Sequence, residues 1–396
     1  MLDSDLTEFR VEVRAFAAQV SDLVADSEKG IDRDRQILAA RYDADLGALD
    51  YPITDGGRDL DHRYVQIFQE EMVTAGTGGS TSSFGIGIDM CLPTIRDHGS
   101  AELRRRFLRP GLRGDEIWCQ LYSEPGAGSD LAGLTTRAHR DGNEWVVTGQ
   151  KVWTSGASVA DLGIILARTN WDVPKHAGIS MLVVPMNQLG IEVRPLHQMT
   201  GVAHFNEVFL EEARVPAEWL VGTEGDGWRM ALALLSYERS SLGRGGGRQP
   251  VPVDQLIDLA RLSCRASDPL VRQDLARIHS GSQIIQWLSK RPSTHPSILK
   301  LWRTLQGRDA AEVAARLAFP GSPAWLGDTM GTTEPSHLIE TTADHWSYAI
   351  CDSRALSLGG GTDEVQKNML GERALGLPRE PSNDRDRPFR FVPRNH

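Results

Sequence analysis

A chain of 396 residues that is 40% hydrophobic can bury two or three cores, because domains run to ~100–200 residues. Its formal net charge of −10 works against nucleic acid or an anionic membrane surface as the main partner, since either repels it in the far field. Cys91, Cys119, Cys264 and Cys351 lie far apart with no CxxC, which indicates neither a disulfide framework nor a metal site and predicts buried thiols in a reducing compartment.

The chain starts acidic and amphipathic (MLDSDLTEFRVEVRAF), unlike a signal peptide, and no stretch reaches the ~18 uncharged apolar residues a membrane span needs. A cytoplasmic protein, not embedded in a membrane, is expected. From Leu6 to about Arg113, Phe9, Val13 and Phe16, then Val65, Ile67, Phe68 and Met72, then Leu103 and Phe107 recur at helical spacing and predict a helical domain over 1–115. Breaks at Tyr51-Pro52, Gly56-Gly57 and Gly76–Gly79 separate its helices, and Ser83–Gly87 suits close helix packing better than an acyl channel. Over 116–222 short apolar runs at Ile164–Leu166, Met181–Val184, Ile191–Val193 and Val208–Leu210 alternate with Gly, Asp, Asn and Pro. They predict an antiparallel β-domain.

Over 223–380 the helical period returns. Trp228–Leu242 is strongly apolar, a glycine and proline connector follows at Gly245–Pro252, and further helices are expected at Leu256–Leu262, Val271–Leu288 and Ile298–Leu317. A looser stretch surrounds Pro320–Pro323, and Thr362 can cap a last helix whose first turn holds Asp363 and Glu364. Residues 381–396 are polar and arginine-bearing and read as a loosely attached tail. The fold class is therefore α+β, helical at both ends with a β-domain between.

The most informative stretch runs from Trp118 to Ser155. Its loop, Ser123-Glu124-Pro125-Gly126-Ala127-Gly128-Ser129-Asp130, has two glycines where backbone N–H groups can turn toward an anion. It is no Rossmann fingerprint, because Leu131 stands where glycine is required, and no GK[ST] follows. Asp141-Gly142-Asn143 marks a tight turn into an alternating strand that ends at Trp153-Thr154-Ser155. Pattern alone leaves open a plain barrel hairpin with a core tryptophan.

Glu238 is the odd residue of the helix after Gly225-Asp226-Gly227-Trp228: it shares a face with Ala231, Leu234, Leu235 and Leu242, and no basic residue lies one turn away in sequence. A glutamate there loses hydration, which raises a carboxylate pKa toward the range where a general base works best. The plainer reading is a Glu238–Arg239 pair reaching solvent at a bundle edge.

YSEPGAGSD followed by VTGQKVWTSGA closely resembles the two flavin-contacting segments of the acyl-CoA dehydrogenase family. Phe205–Phe209, Arg214-Val215-Pro216, Gly225–Trp228 and Gly359–Gln366 extend the resemblance over about residues 5 to 378, weakest between Gly243 and Gly359. The resemblance implies a middle β-barrel domain between an N-terminal helical domain and a C-terminal helical bundle. It implies FAD as cofactor, an acyl-CoA substrate, an electron-transfer flavoprotein as acceptor, and a homo- or hetero-oligomeric dimer or tetramer. By position, Ser123 and Ser155 donate to the flavin ring, Ser155 toward N5, with Tyr122, Gly128 and Thr154 alongside. Trp153 packs on the ring and Ser129 lies along the acyl-CoA path. Thr362 and Glu364 match contacts to flavin phosphate and adenosine.

Many members place the base just before the final Gly-Thr, where this chain has Gly360. A minority, including isovaleryl-CoA, long-chain and some sterol side-chain dehydrogenases, place it before an arginine on the helix that holds Glu238-Arg239. By this resemblance Glu238 is the base, Arg239 guards the entrance or the coenzyme A side, and the Gly360 N–H binds the thioester oxygen. Two family segments that reach a neighbour's cofactor, Arg-x-x-Phe-Gly and Gln-x-x-Gly-Gly-x-Gly, are missing; the zones read GRGGGRQPVPVD and LAFPGSPAWLGD. A non-catalytic or half-site subunit of a heteromeric acyl-CoA dehydrogenase, a same-fold acyl-CoA oxidase and a monooxygenase are the alternatives.

Overall fold

The computed structural model describes residues 2–25, 27–28, 30–75, 83–243, 251–291, 293–318, 343–382 and 384–393. The glycine break at Gly76–Gly79, the glycines of the connector after Gly243 and the stretch around Pro320–Pro323 lie outside them. The chain divides into two compact units: 1–195, 205–237 and 384–396 form the first, and 196–204 with 238–383 form the second.

The first unit opens with five helices, α1 (Leu2–Leu23), α2 (Ile31–Asp43), α3 (His62–Thr74), α4 (Leu92–His98) and α5 (Ala101–Arg113). The helical spacing seen in sequence is what buries them: Phe9, Val13 and Phe16 of α1 pack on Phe68 and Met72 of α3. Asp61 caps α3 by accepting from the Arg63 N–H, and Ser100 caps α5 by accepting from the Leu103 N–H. Gly87 faces Trp118 so closely that a Cβ would lie 3.1 Å from the indole, as close packing requires.

Eight strands follow: β1 (Trp118–Leu121), β2 (Arg137–Asp141), β3 (Glu144–Ser155), β4 (Leu162–Arg168), β5 (Ile179–Pro185), β6 (Ile191–Leu196), β7 (Phe205–Pro216) and β8 (Leu220–Val221). They form one sheet in the order β6-β7-β3-β2-β4-β5-β8, with β1 also paired to β4. The β2–β3 hairpin turns at Gly142, whose φ is 61°, with Asp141 opposite Glu144. The β2–β3, β3–β7, β4–β5 and β5–β8 ladders are antiparallel, and two pairings are parallel. β1 runs parallel to β4 from Trp118↔Leu162 to Leu121↔Ile165, and β2 meets β4 in parallel at Arg137↔Arg168. The glycine loop and the hairpin together carry the chain back to the level of β1, so β4 sets out in the same direction.

Strand β4 is buried along its whole length. Ile164 and Leu166 face α4 and α5 through Ile95, Leu103 and Phe107, whereas Ile165 and Ala167 join an all-strand core with Trp145, Val147, Leu182 and Val208. Period-two alternation thus places a core on each face of the sheet. Helix α6 (Gly227–Gly243) buries Met230, Ala231 and Leu234 against the α4–α5 side.

The second unit holds α7 (Val253–Leu262), α8 (Pro269–Ser289), α9 (Pro296–Ala318), α10 (Ala343–Ser353) and α11 (Asp363–Met369). Its core joins Leu256, Val271, Ile278, Ala310, Val313, Leu317 and Trp346. Two expectations need correction. Cys91 and Cys119 are buried, but Cys264 is exposed and Cys351 half-buried. Cys264 sits just past α7 with a φ of 55°, in the turn that ends the helix and not on its buried face. The final segment is also not a loose tail: Phe389 is 1% exposed in the first unit, because its ring covers a buried arginine there.

Candidate active site

The glycine loop is strapped to β3 before any ligand is considered. The Val152 N–H donates to the Ser123 carbonyl at 2.9 Å, and Lys151 Nζ donates to the Tyr122 carbonyl at 3.0 Å and to Glu124 Oε1 at 2.9 Å. Glu124 accepts three more bonds, from the Thr135 N–H and hydroxyl and from the Thr136 N–H. Lys151 is fully buried and Glu124 nearly so. Burial alone raises the Glu124 carboxyl, but the Lys151 ammonium and the threonine donors outweigh it and hold the group down at about 2. Three consecutive loop residues are therefore fixed to two consecutive strand residues by charge and hydrogen bonds away from water.

That strap ends where the candidate ring-binding residues begin. The β3–β7 register is irregular between Lys151 and Thr154, a bulge that turns Trp153 out of the ladder with a φ of 61°. A left-handed tryptophan costs of order 1–3 kcal/mol and persists only where its surroundings impose it. Its indole is 57% exposed and meets Phe205 edge-on at 5.8 Å, so it is not the core tryptophan that pattern alone allowed. Thr154 is buried, its carbonyl accepts from Asn206 Nδ2 at 3.1 Å, and its hydroxyl has no partner among the described residues. Ser123 and Ser155 are half-buried. Neither hydroxyl has a hydrogen-bond partner among the described residues.

The far end of the loop is exposed at Gly128 and Ser129, and a Cβ at Gly128 would meet nothing within 4 Å. The N–H groups of Gly126, Gly128 and Ser129 find no acceptor among the described residues. Asp130 is held by Lys175 Nζ at 3.0 Å to both oxygens, and Asp384 takes the same ammonium at 2.7 Å. Burial lowers the Lys175 ammonium, but the two carboxylates win and raise it. Tyr122, Ser123, Gly128, Ser129, Trp153, Thr154 and Ser155 are thus brought together in the first unit. The arrangement presents an indole face and two hydroxyls beside a stretch of unsatisfied backbone N–H groups, which suits a flat ring with a polar edge and an attached anion.

The remaining candidates belong to the second unit. Glu238 lies on α6 at the boundary, one and two turns beyond the fully buried Leu234 and Ala231, and is half-buried itself. The turn before it is tied down by the Tyr237 hydroxyl, which donates to Asp97. The side chain of Arg239 lies outside the described residues. Gly360 has a φ of 65°, its carbonyl accepts from Gln366 Nε2 at 2.8 Å, and its N–H has no acceptor among the described residues. Thr362 caps α11, its hydroxyl accepting from the Val365 N–H at 3.2 Å, and Glu364 is exposed in the first turn.

Sequence reading missed Lys151, Asn206, Lys175 and Arg168. Lys151 and Glu124 had a signal, since each is the one charge in an otherwise uncharged run, Trp145–Ala160 and Ile117–Ser129. Nothing local marked Lys175 or Arg168, whose partners lie far along the chain. Among the described residues no group of three or more His, Cys, Asp or Glu is placed to hold a metal, and no helix is long and apolar enough to cross a membrane.

Residues 3–115 match the model of the acyl-CoA dehydrogenase N-terminal domain, and 119–213 that of the acyl-CoA dehydrogenase middle domain. Acyl-CoA dehydrogenase IpdE1 of Mycobacterium tuberculosis (strain ATCC 25618 / H37Rv) is 37% identical over 95% of this chain and 99% of its own length. Acyl-CoA dehydrogenase FadE34 of the same strain is 33% identical over 96% of this chain and 50% of its own length. Among solved structures, a chain of the Tcur3481-Tcur3483 steroid ACAD superposes with a TM-score of 0.75 at 26% identity, covering 95% of this chain and 98% of that one. A chain of the ChsE4-ChsE5 complex from Mycobacterium tuberculosis gives 0.70 at 28% identity over the same shares.

Proposed function

This chain belongs to the acyl-CoA dehydrogenase family, and from that premise we propose that it removes the α-proton and β-hydride of an acyl-CoA thioester to give a 2,3-enoyl-CoA. FAD is the proposed cofactor, and when bound it supplies the acceptor for the hydride. Ser123 and Ser155 hold its ring edge through their hydroxyls and Trp153 presents the indole. Tyr122 and Thr154 fix the backbone around them, Gly128 and Ser129 offer free N–H groups to its anionic part, and Thr362 and Glu364 are the proposed contacts to its phosphate and adenosine. The observation that carries this reading is the strap: Lys151, Glu124 and Val152 hold the Ser123 segment to the strand that ends at Ser155.

Glu238 takes the α-proton as general base, on a helix face whose neighbouring turns are apolar. The Gly360 N–H donates to the thioester oxygen, stabilising the charge that develops as the proton leaves. A left-handed φ at 360 suits glycine and aims that donor without a side chain. Ser129 and Arg239 contact the acyl-CoA, and an electron-transfer flavoprotein reoxidises the enzyme. Similarity to a chain named a steroid ACAD supports a bulky, ring-bearing acyl group.

A second reading is favoured by two absences, Arg-x-x-Phe-Gly and Gln-x-x-Gly-Gly-x-Gly, and by the two-component names of both neighbours: the chain supplies one half-site of a hetero-oligomer. One experiment tests both. The purified chain, alone and with a co-expressed partner, is titrated with steroid-derived, branched and straight-chain CoA thioesters while its visible absorbance is followed. Flavin bands that bleach with one thioester class support the dehydrogenase, and a chain that is yellow only with its partner supports the half-site. Colourless preparations in both states, or a flavin no thioester bleaches, overturn the assignment.

A further inference from the structure

The loop that the proposed function assigns to cofactor and substrate is closed at its start by the buried Glu124–Lys151 pair. Its far end, from Ser129 to Leu134, is closed by two cations from elsewhere. Lys175 holds Asp130. Arg168, fully buried, donates from Nη2 to the Ala132 carbonyl at 2.7 Å, from Nε to the Leu134 carbonyl at 3.1 Å and from Nη1 to the Lys175 carbonyl at 2.9 Å. One guanidinium thus fixes the turn after Asp130 and the backbone that carries Lys175.

Both cations are covered by residues 384–391. Asp384 is the second carboxylate on Lys175, and the Phe389 ring lies over the Arg168 guanidinium with its centroid 3.4 Å from Cζ. The same segment is sewn down by backbone: the Phe389 N–H donates to the Val173 carbonyl at 2.9 Å, the Arg390 N–H donates to the Trp171 carbonyl at 3.1 Å, and Pro388 bridges to Pro174. Lys175 is raised by Asp384 and Asp130 against its burial, and the neighbouring His176 is lowered by burial, Lys175 and Arg385 against Asp130 and Asp384.

We propose that Asp384 and Phe389 are positioning residues for the active-site loop: they keep Lys175 and Arg168 seated, and those two hold Ser129–Leu134 in the shape that meets cofactor and acyl-CoA. This rests on the assignment of residues 122–130 made above, but the coupling of segment to loop is measurable without it. Hydrogen exchange of the full-length protein is compared for wild type, Phe389→Ala, Asp384→Asn and Asp384→Glu, with flavin affinity and the KM and kcat for a turned-over thioester measured alongside.

Exchange at 126–134 is expected to rise roughly tenfold in F389A and less in D384N, with β4 and β5 unchanged and D384E close to wild type. KM should rise and flavin affinity fall while kcat at saturation holds. Unchanged exchange at 126–134, or a rise spread equally over β4 and β5, overturns the proposal. Selective loosening with unaltered flavin and thioester affinity keeps the coupling and instead sinks the assignment of residues 122–130.

Discussion

Compare the glycine loop with β3, which carries the ring-holding candidates, and the end of α6 with the turn at Gly360, which carry the proposed base and the proposed donor to the thioester oxygen. In the first region Tyr122, Ser123 and Thr154 have their backbone fixed from outside themselves: Lys151 and Val152 hold Tyr122 and Ser123, and Asn206 holds Thr154. In the second region the work falls to one half-buried carboxylate and to an N–H on a residue with no side chain. A flat ligand has to be matched at many points, so its site is built on a buried charge network and a bulged strand. A proton has to meet one atom, and a helix turn anchored by Tyr237 and Asp97 suffices.

The sharpest way to break that contrast is Glu238→Gln. It should lower kcat by ~10²–10⁴-fold, the usual weight of a general base, with flavin content and melting temperature unchanged. Retained activity would move the base elsewhere and leave α6 a structural helix.

Next in size is Lys151→Met, which strands a buried carboxylate and should destabilise the first unit by ~3–5 kcal/mol in urea melts, with loss of flavin. The double variant Glu124→Gln, Lys151→Met should recover most of that stability but less of the flavin affinity, since the loop stays packed while its register loosens. A double variant no better than K151M would show that the pair serves stability and not placement.

The pair also sets an acid limit. The Glu124 carboxyl titrates at about 2 in the folded protein, below its ordinary range, so its stabilisation is present above pH ~4.5 and is lost as pH falls toward 2. Melting temperature followed from pH 7 to pH 3 should fall more steeply for wild type than for the double variant. Parallel curves would assign the acid sensitivity to other carboxylates.

The smallest effect expected is at Trp153→Gly, where relief of the left-handed backbone should raise stability by ~1 kcal/mol while flavin affinity drops. A fall in stability would place the indole in the core after all.

Much of this was legible in the sequence because it is local. Helical spacing at Phe9, Val13 and Phe16 named the buried face of α1, the Asp141-Gly142-Asn143 turn named the hairpin, and Thr362 named the cap of α11. The odd placement of Glu238 among Ala231 and Leu234 was equally a matter of spacing along one helix. What escaped were features set by partners distant in sequence. The parallel β1–β4 pairing depends on where a loop and hairpin return the chain, Trp153 was turned outward by a bulge that alternation cannot encode, and residues 381–396 looked solvated because the buried ring of Phe389 sits among arginines, aspartates and prolines.

The lid that Phe389 forms over Arg168 also constrains the order of events during synthesis. Every strand of the first unit is made by Val221, yet the guanidinium that organises its loop is not covered until residues 384–391 emerge, after the whole second unit. The amino-terminal half can therefore collapse on the ribosome but reaches its finished form only after residues 384–391 have been made, so ribosomes stalled between Val221 and Asp384 should display a partly closed, protease-sensitive loop.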